Sequence, residues 1–262
     1  MTSVPIPQPL DPERYRSAAA HYERGRVPYA SALIRRVVEV VGLEPRHRVL
    51  DLGCGPGPLA RRFAAFAQEV VAMDPTPEML NAARTLAAGI ANIRFVAGSS
   101  YELGTALGRF HLVVMGRSFH WMDRVDTLKR LDGLVKSAGA VALFADTAPA
   151  IPANAWRQVW QGICDRYEPR NGAHRSDPNW IRHEAVLLDS PFARLERFSV
   201  IERRALDVEM LVERTLSMGS TSPGHLGEKG TAGITADIRA ALSGVREEVV
   251  ETSALVAWRV VR

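Results

Sequence analysis

Three groups of residues along the chain have types and spacings suited to chemistry. The first is Asp51-Leu52-Gly53-Cys54-Gly55-Pro56-Gly57, which follows the apolar pair Val49-Leu50 and runs into Pro58-Leu59-Ala60. Alternate glycines permit positive φ and leave no Cβ between backbone and ligand, so N–H groups can approach whatever lies above them. The spacing is not the G-x-G-x-x-G of a dinucleotide loop, because the sixth position from Gly53 is Pro58, and no G-x-x-x-x-G-K-S/T run is present. An acid two residues ahead of the glycines repels a pyrophosphate and suits a cation. The second group is Asp74, which ends the apolar run Val70-Val71-Ala72-Met73. A carboxylate there can accept from both hydroxyls of a diol. The third is Gly116-Arg117-Ser118-Phe119-His120-Trp121, behind the apolar run 110–115. A histidine with an ordinary pKa near 6.5 can take a proton from a hydroxyl or amine, contact a substrate, or hold its own loop.

All three groups need strand ends to position them. The pattern predicts strands at 48–52, 70–74, 92–97, 110–116, 140–146, 194–206 and 249–261, with helices between the first five. Alternating strands and helices argue for an α/β fold with a parallel sheet, whose ligands bind in the crevice beyond the strand ends. The fourth strand is apolar on both sides and belongs at the centre. Thr76 and Pro77 are predicted as N-cap and first residue of a helix. Helices are also expected from Asp11, over 30–41, over 59–67, from Asp207 to Met218, and over 236–242. The glycine-rich stretch 219–233 reads as a loop. Between the fifth and sixth strands, residues 148–193 hold Trp156, Trp160, Tyr167, His174, Trp180 and His183, with Trp156, Val159, Trp160 and Ile163 on one helical face. Arg166, Arg170 or Arg175 could hold an acid there, while most of the tryptophans would glue the segment down.

The chain has 262 residues, 47% hydrophobic, with a net charge of +4. That fits one elaborated α/β domain, or one domain with a cap. No apolar run approaches the 18 or more residues of a membrane helix, and the N-terminus has no basic region followed by an apolar core. Cys54 and Cys164 are the two cysteines. Both are expected reduced, in a cytoplasmic protein. No Cys/His cluster has metal-ligand spacing, so no metal is expected. Arginines are spread along the chain among acids, without a basic block, so neither nucleic acid nor membrane is expected as a partner.

Val49-Leu50-Asp51-Leu52-Gly53-Cys54-Gly55-Pro56-Gly57, with Asp74 at the second strand tip, resembles the first two motifs of the class I S-adenosylmethionine (SAM) methyltransferases. The phrase Ser118-Phe119-His120-Trp121-Met122-Asp123-Arg124 resembles a subgroup acting on small carboxylic acids and natural products, the trans-aconitate methyltransferase-like enzymes among them. The resemblance implies a Rossmann-like fold: a seven-stranded, mostly parallel sheet with an antiparallel last strand and an inserted helical cap. Lid helices would occupy 1–42, the SAM-binding core 43–147 and 194–262, and the cap 148–193. SAM is the implied cofactor, S-adenosylhomocysteine its product, and a small molecule the acceptor.

The same resemblance implies residue roles. Gly53, Cys54, Gly55 and Gly57 would shape the cofactor loop, with Pro75, Met79 and Gly116 beside it. Asp51 would orient the loop or reach the cofactor's amino group, and Asp74 would hold the ribose. Ser99 or Ser100 would face the adenine, where many relatives carry an acid at the first position. Arg26 would pair with the methionyl carboxylate or face solvent. Tyr22 and Tyr29 would form a lid over cofactor and substrate, or pack on the core. Arg117 and Trp121 would face the transferred methyl, with His120 as candidate base. An Asn/Asp-Pro-Pro-aromatic motif, the mark of nucleic-acid and protein amino methylation, is absent. A SAM-fold protein without methyl transfer, regulatory or SAM-assisted, is the alternative. Monomer and homodimer are both compatible.

Overall fold

Successive residues of the inner strands point to opposite faces of one sheet, and both faces are buried. Val49, Val70 and Leu112 join one apolar cluster, while Leu50, Val71 and Val113 join another. A strand without a polar face must lie between two helical layers. The computed structural model describes residues 16–167 and 181–260. Its strands are β1 (Arg48–Leu52), β2 (Glu69–Asp74), β3 (Ile93–Ala97), β4 (Phe110–Gly116), β5 (Val135–Thr147), β6 (Arg194–Ala205) and β7 (Glu247–Trp258). They form one sheet in the order β3-β2-β1-β4-β5-β7-β6. The first five pair parallel, and β7 runs antiparallel to both β5 and β6. The order reverses between β1 and β4, which opens a crevice at their C-terminal ends.

The helices among the described residues are α1 (Ala19–Gly25), α2 (Ser31–Val40), α3 (Pro58–Phe63), α4 (Pro77–Leu86), α5 (Arg124–Leu134), α6 (Trp156–Tyr167), α7 (His183–Leu188), α8 (Val208–Leu216) and α9 (Pro223–Leu242). Leu33, Ile34 and Val37 of α2 pack with Leu59 and Phe63 of α3 on one face of the sheet. Leu128 and Leu131 of α5 pack with Val186 and Leu187 of α7 on the other. Each fully buried Leu or Val stabilises the fold by about 1.5–3 kcal/mol relative to its exposed state. A third cluster joins α6, α8 and α9 through Trp160, Ile163, Cys164, Leu211, Val212, Ile234 and Ile238.

Several elements differ from the sequence-based expectation. The stretch 219–233 is not a loop: 223–242 is one helical element, broken at Gly227, where φ is +69° and ψ 177°. The helix expected over 236–242 is only its C-terminal end. Glycine weakens a helix by about 1 kcal/mol per residue, but Ile234, Ile238 and Leu242 bury a whole face here. Gly233 is also needed sterically, since a Cβ there would stand 2.7 Å from Tyr167 Oη. On α6, Val159 is 49% exposed and Cys164 buried, so the buried face runs through Trp160, Ile163 and Cys164. Thr76 makes no side-chain cap bond to α4, although Pro77 does open that helix. β5 begins at Val135, immediately after α5, and bulges between its pairings with Phe110 and Leu112. Residues 11–15, where the helix expected from Asp11 begins, lie outside the described residues, as do Arg170, His174, Arg175 and Trp180.

Candidate functional site

The loop after β1 takes the conformation its glycines permit. Gly53, Gly55 and Gly57 have φ of +69°, +54° and +79°. A Cβ on Gly53 would lie 2.6 Å from Ser118 Cβ. The loop therefore touches the turn after β4 across the crevice, and Ser118 Oγ donates to the Leu52 carbonyl at 2.8 Å. Two acids hold the loop from below. Asp51, 1% exposed, accepts the Ala60 N–H of α3 at 2.9 Å. Asp74 accepts the Gly55 N–H at 2.8 Å and the Thr76 N–H at 2.9 Å. Burial pushes the Asp51 carboxyl up to about 7, against the Ala60 hydrogen bond and with help from the Asp74 charge. Burial raises Asp74 too, against its amide donors. Two carboxylates short of solvation make a site that gains from a nearby cation.

Above the loop lies a cavity of about 280 Å³. Of the residues singled out in the sequence, Tyr22, Gly53, Gly55, Asp74, Pro75, Met79, Ser99, Ser100, Gly116, Arg117 and Trp121 line it. Gly55 has open space where a Cβ would be. A Cβ on Gly116 would stand 2.8 Å from Tyr29 Oη and from Leu59 Cδ1, so a larger residue at the end of β4 would displace those two side-chain ends. Asp51, Cys54, Gly57, Arg26, Tyr29 and His120 do not line the cavity. Cys54 is buried and free. His120 is half-buried in the turn Phe119–Trp121, its ring centroid 4.8 Å from that of Trp121.

The end of the cavity beside α1 is cationic. Arg117 is the one non-glycine residue with positive φ (+57°) among the described residues. Such a conformation costs about 1–3 kcal/mol and persists only when its surroundings impose it. Here Nη1 donates to Asp146 Oδ1 at 2.7 Å and to the Val27 carbonyl at 3.0 Å. The guanidinium lies over the Tyr29 and Tyr22 rings, 4.7 and 5.8 Å from their centroids. Arg26 lies over Tyr22 at 5.1 Å and donates to the Ser217 carbonyl at 2.9 Å. Arg214 forms a buried bidentate pair with Glu248, both bonds 2.7 Å, and donates to the Gly25 carbonyl. Burial pushes the Asp146 carboxyl up, but Arg117, with Arg26 and Arg214 beyond it, outweighs that and holds it low. Burial and Arg214 together lower Arg157 of α6. Four guanidiniums thus share two carboxylates, and Arg26 Nε, Arg117 Nε and Tyr29 Oη are buried without a hydrogen-bond partner.

The sequence reading missed Asp146, Arg157, Arg214 and Glu248, and the lining residues Thr76, Gly98, Tyr101 and Met122. Asp146, near the end of a strand as Asp74 is, carried a usable signal. Arg214 and Glu248 lie 34 positions apart with nothing to link them.

Residues 49–139 match the family model described as "Methyltransferase domain". The chain is 27% identical to an uncharacterized methyltransferase of Mycobacterium tuberculosis over 81% of this chain and 80% of that one. A malonyl-[acyl-carrier protein] O-methyltransferase of Pseudescherichia vulneris is 33% identical, over 45% of each chain. The structure of a SAM-dependent methyltransferase from Thiobacillus denitrificans, in complex with S-adenosyl-L-homocysteine, superposes with a TM-score of 0.55 at 13% identity, covering 97% of this chain and all of that one. SAM combines a sulfonium and an ammonium with a carboxylate, a diol and a flat base. Two under-solvated acids, buried donors lacking acceptors and a glycine-lined wall fit that set of groups. Residues 49–139 are thus a methyltransferase domain, set in the fold that the SAM-dependent methyltransferase from Thiobacillus denitrificans shares.

Proposed function

We propose that the cavity receives the cofactor at the acidic loop and a small anionic acceptor, such as a carboxylic acid, at the arginine end. The observation that carries this reading is the polarity of this cavity: Asp74, near Asp51, at one end, and Arg117, near three further arginines, at the other. Asp74 has acceptor capacity left for the ribose hydroxyls after its two amide bonds. Ser99 or Ser100 faces the adenine. Arg26 does not line the cavity, so toward the methionyl carboxylate it would act by charge at a distance, across Tyr22, and not by a direct bond. Bound there, SAM supplies an electrophilic methyl group on its sulfonium.

The rest is positioning. Tyr22 and Trp121 wall the cavity and exclude water, and Arg117 orients the acceptor's anion. Displacement at a methyl group needs alignment more than a base. We assign His120 to holding Trp121, since its ring packs on Trp121 and it does not line the cavity. Substrate shaping falls to α6 together with α8 and α9, which share its apolar cluster. The relative named as a malonyl-[acyl-carrier protein] O-methyltransferase agrees with an acidic acceptor. Calorimetric titration with SAM and S-adenosylhomocysteine tests the cofactor end, with micromolar binding expected. A mass-shift screen of carboxylic acids against neutral and amine acceptors tests the other end. Methylation confined to amines would overturn the anionic assignment.

A further inference from the structure

One outer edge of the sheet is β6, which ends the strand order beside β7. Its 12 residues pair with β7 in one unbroken antiparallel register, and the Leu206 N–H continues that ladder to the Arg246 carbonyl. In an antiparallel strand the N–H and C=O of one residue point the same way, and successive residues alternate. Even-numbered residues of β6 therefore bond to β7, while the N–H and C=O of Leu195, Arg197, Ser199 and Ile201 point outward. No strand among the described residues takes them up. Ile201 is also 62% exposed, a large apolar side chain on an open edge.

An open edge can pair with a second copy of itself about a two-fold axis, where each residue faces one fixed partner. Charged side chains ordinarily keep such edges apart, and along the middle of β6 they oppose most registers. Centred on Arg197, that residue meets itself; centred on Ser199, Glu196 meets Glu202; centred on Val200, Arg197 meets Arg203. Centred on Ile201, no ion pair forms. Centred on Phe198, no like charges meet: Arg194 faces Glu202 on both sides of the axis, and Leu195 faces Ile201. The outward backbone groups of Arg197 then meet those of Ser199. Within the chain, Arg194 and Glu202 hold only loose ion contacts, at 3.8 Å to Glu196 and 3.7 Å to Arg204. Arg36, which lies over the Phe198 ring, has Glu39 as its counter-ion. We propose that β6 pairs antiparallel with β6 of a second copy, centred on Phe198, and so joins two chains into a homodimer with one continuous sheet.

The test is sedimentation velocity over a concentration series of the full chain, as wild type, Glu202→Arg, Arg194→Glu and the double swap. The wild type should reach the mass of a dimer. Either single variant sets like charges against each other on both sides of the axis and should weaken dimerisation by about tenfold or more. The double swap should restore it, and unchanged melting temperatures show that the variants fold. Amide exchange in the wild type reads the same register independently. The outward amides of Leu195, Arg197, Ser199 and Ile201 should become protected as concentration rises, while their even-numbered neighbours exchange slowly throughout. A wild type that stays monomeric overturns the proposal, as does a dimer that Glu202→Arg leaves intact or a double swap that stays monomeric. Should the variants unfold, exchange at those outward amides that does not change with concentration overturns it equally.

Discussion

The two ends of the cavity are built differently. The acidic end comes from consecutive strand tips: the loop after β1, Asp74 closing β2, and 98–101 after β3. Its key contacts join backbone N–H groups to carboxylates, as in Gly55 to Asp74 and Ala60 to Asp51. The arginine end is assembled from 22–29, 117, 146, 157, 214 and 248, and its contacts join long side chains to one another or to carbonyls. A backbone-built site tolerates few substitutions and suits a cofactor that does not vary. A side-chain-built site can be retuned one residue at a time, which suits the proposed acceptor end. The ends meet at Gly116 and Arg117, where β4 leaves the sheet.

The largest expected effect breaks the acidic end. Gly53→Ala places a Cβ against Ser118 at positive φ, which should cost about 2–4 kcal/mol of SAM binding. Calorimetry with SAM and S-adenosylhomocysteine should show both ligands weakened together. Near-normal affinity would mean the loop is softer than its contacts suggest.

Asp51→Asn separates stability from binding. Asp51 holds its proton more tightly folded (about 7) than at its ordinary value of 3.8. Its ionisation therefore costs stability that is absent below pH 4, grows as pH rises, and is complete above pH 7. Relative to wild type, the variant should gain about 2–4 kcal/mol between pH 4 and pH 8 in denaturant melts. SAM affinity should meanwhile fall. A pH-independent difference would remove the buried-charge account.

Arg117→Met addresses the other end. It should lower kcat/KM for the acceptor by about a hundredfold, the scale of one charge-assisted contact, and leave cofactor affinity within about threefold. Asp74→Ala should do the reverse, weakening SAM by about 1–3 kcal/mol while the acceptor KM, at saturating SAM, stays near wild type. If either variant moved both ligands equally, the two ends would be one site. The smallest effect is expected from His120→Ala, a loss of less than about tenfold in kcat. A base contributes about a hundredfold or more, so a drop of that size would return His120 to that role.

The acidic end was legible because its signal is local. Glycine spacing, an acid before the loop and an acid ending the next apolar run are all written within 24 residues. The sheet was legible for the same reason, since doubly buried strands show as apolar runs such as 110–115. Two kinds of feature escaped. The helix over 223–242 defied its glycines, because burial of Ile234, Ile238 and Leu242 outweighs propensity. The partners of Arg117 escaped because Asp146 and the Val27 carbonyl lie 29 and 90 positions away.

By itself, then, the sequence determined the strand order of chemistry: a loop made for a cation, a carboxylate for a diol, and a turn after β4 facing both. These depend on φ, periodicity and residue type, which act between near neighbours. Only the tertiary structure decided that α1, docked on α8 where a Cβ on Gly25 would lie 2.4 Å from the Arg214 amide, brings Arg26 and Tyr22 beside Arg117. It likewise gathered four guanidiniums around two carboxylates. Charges bought together from distant segments leave no pattern along the chain, because Coulomb's law depends on separation in space and not in sequence.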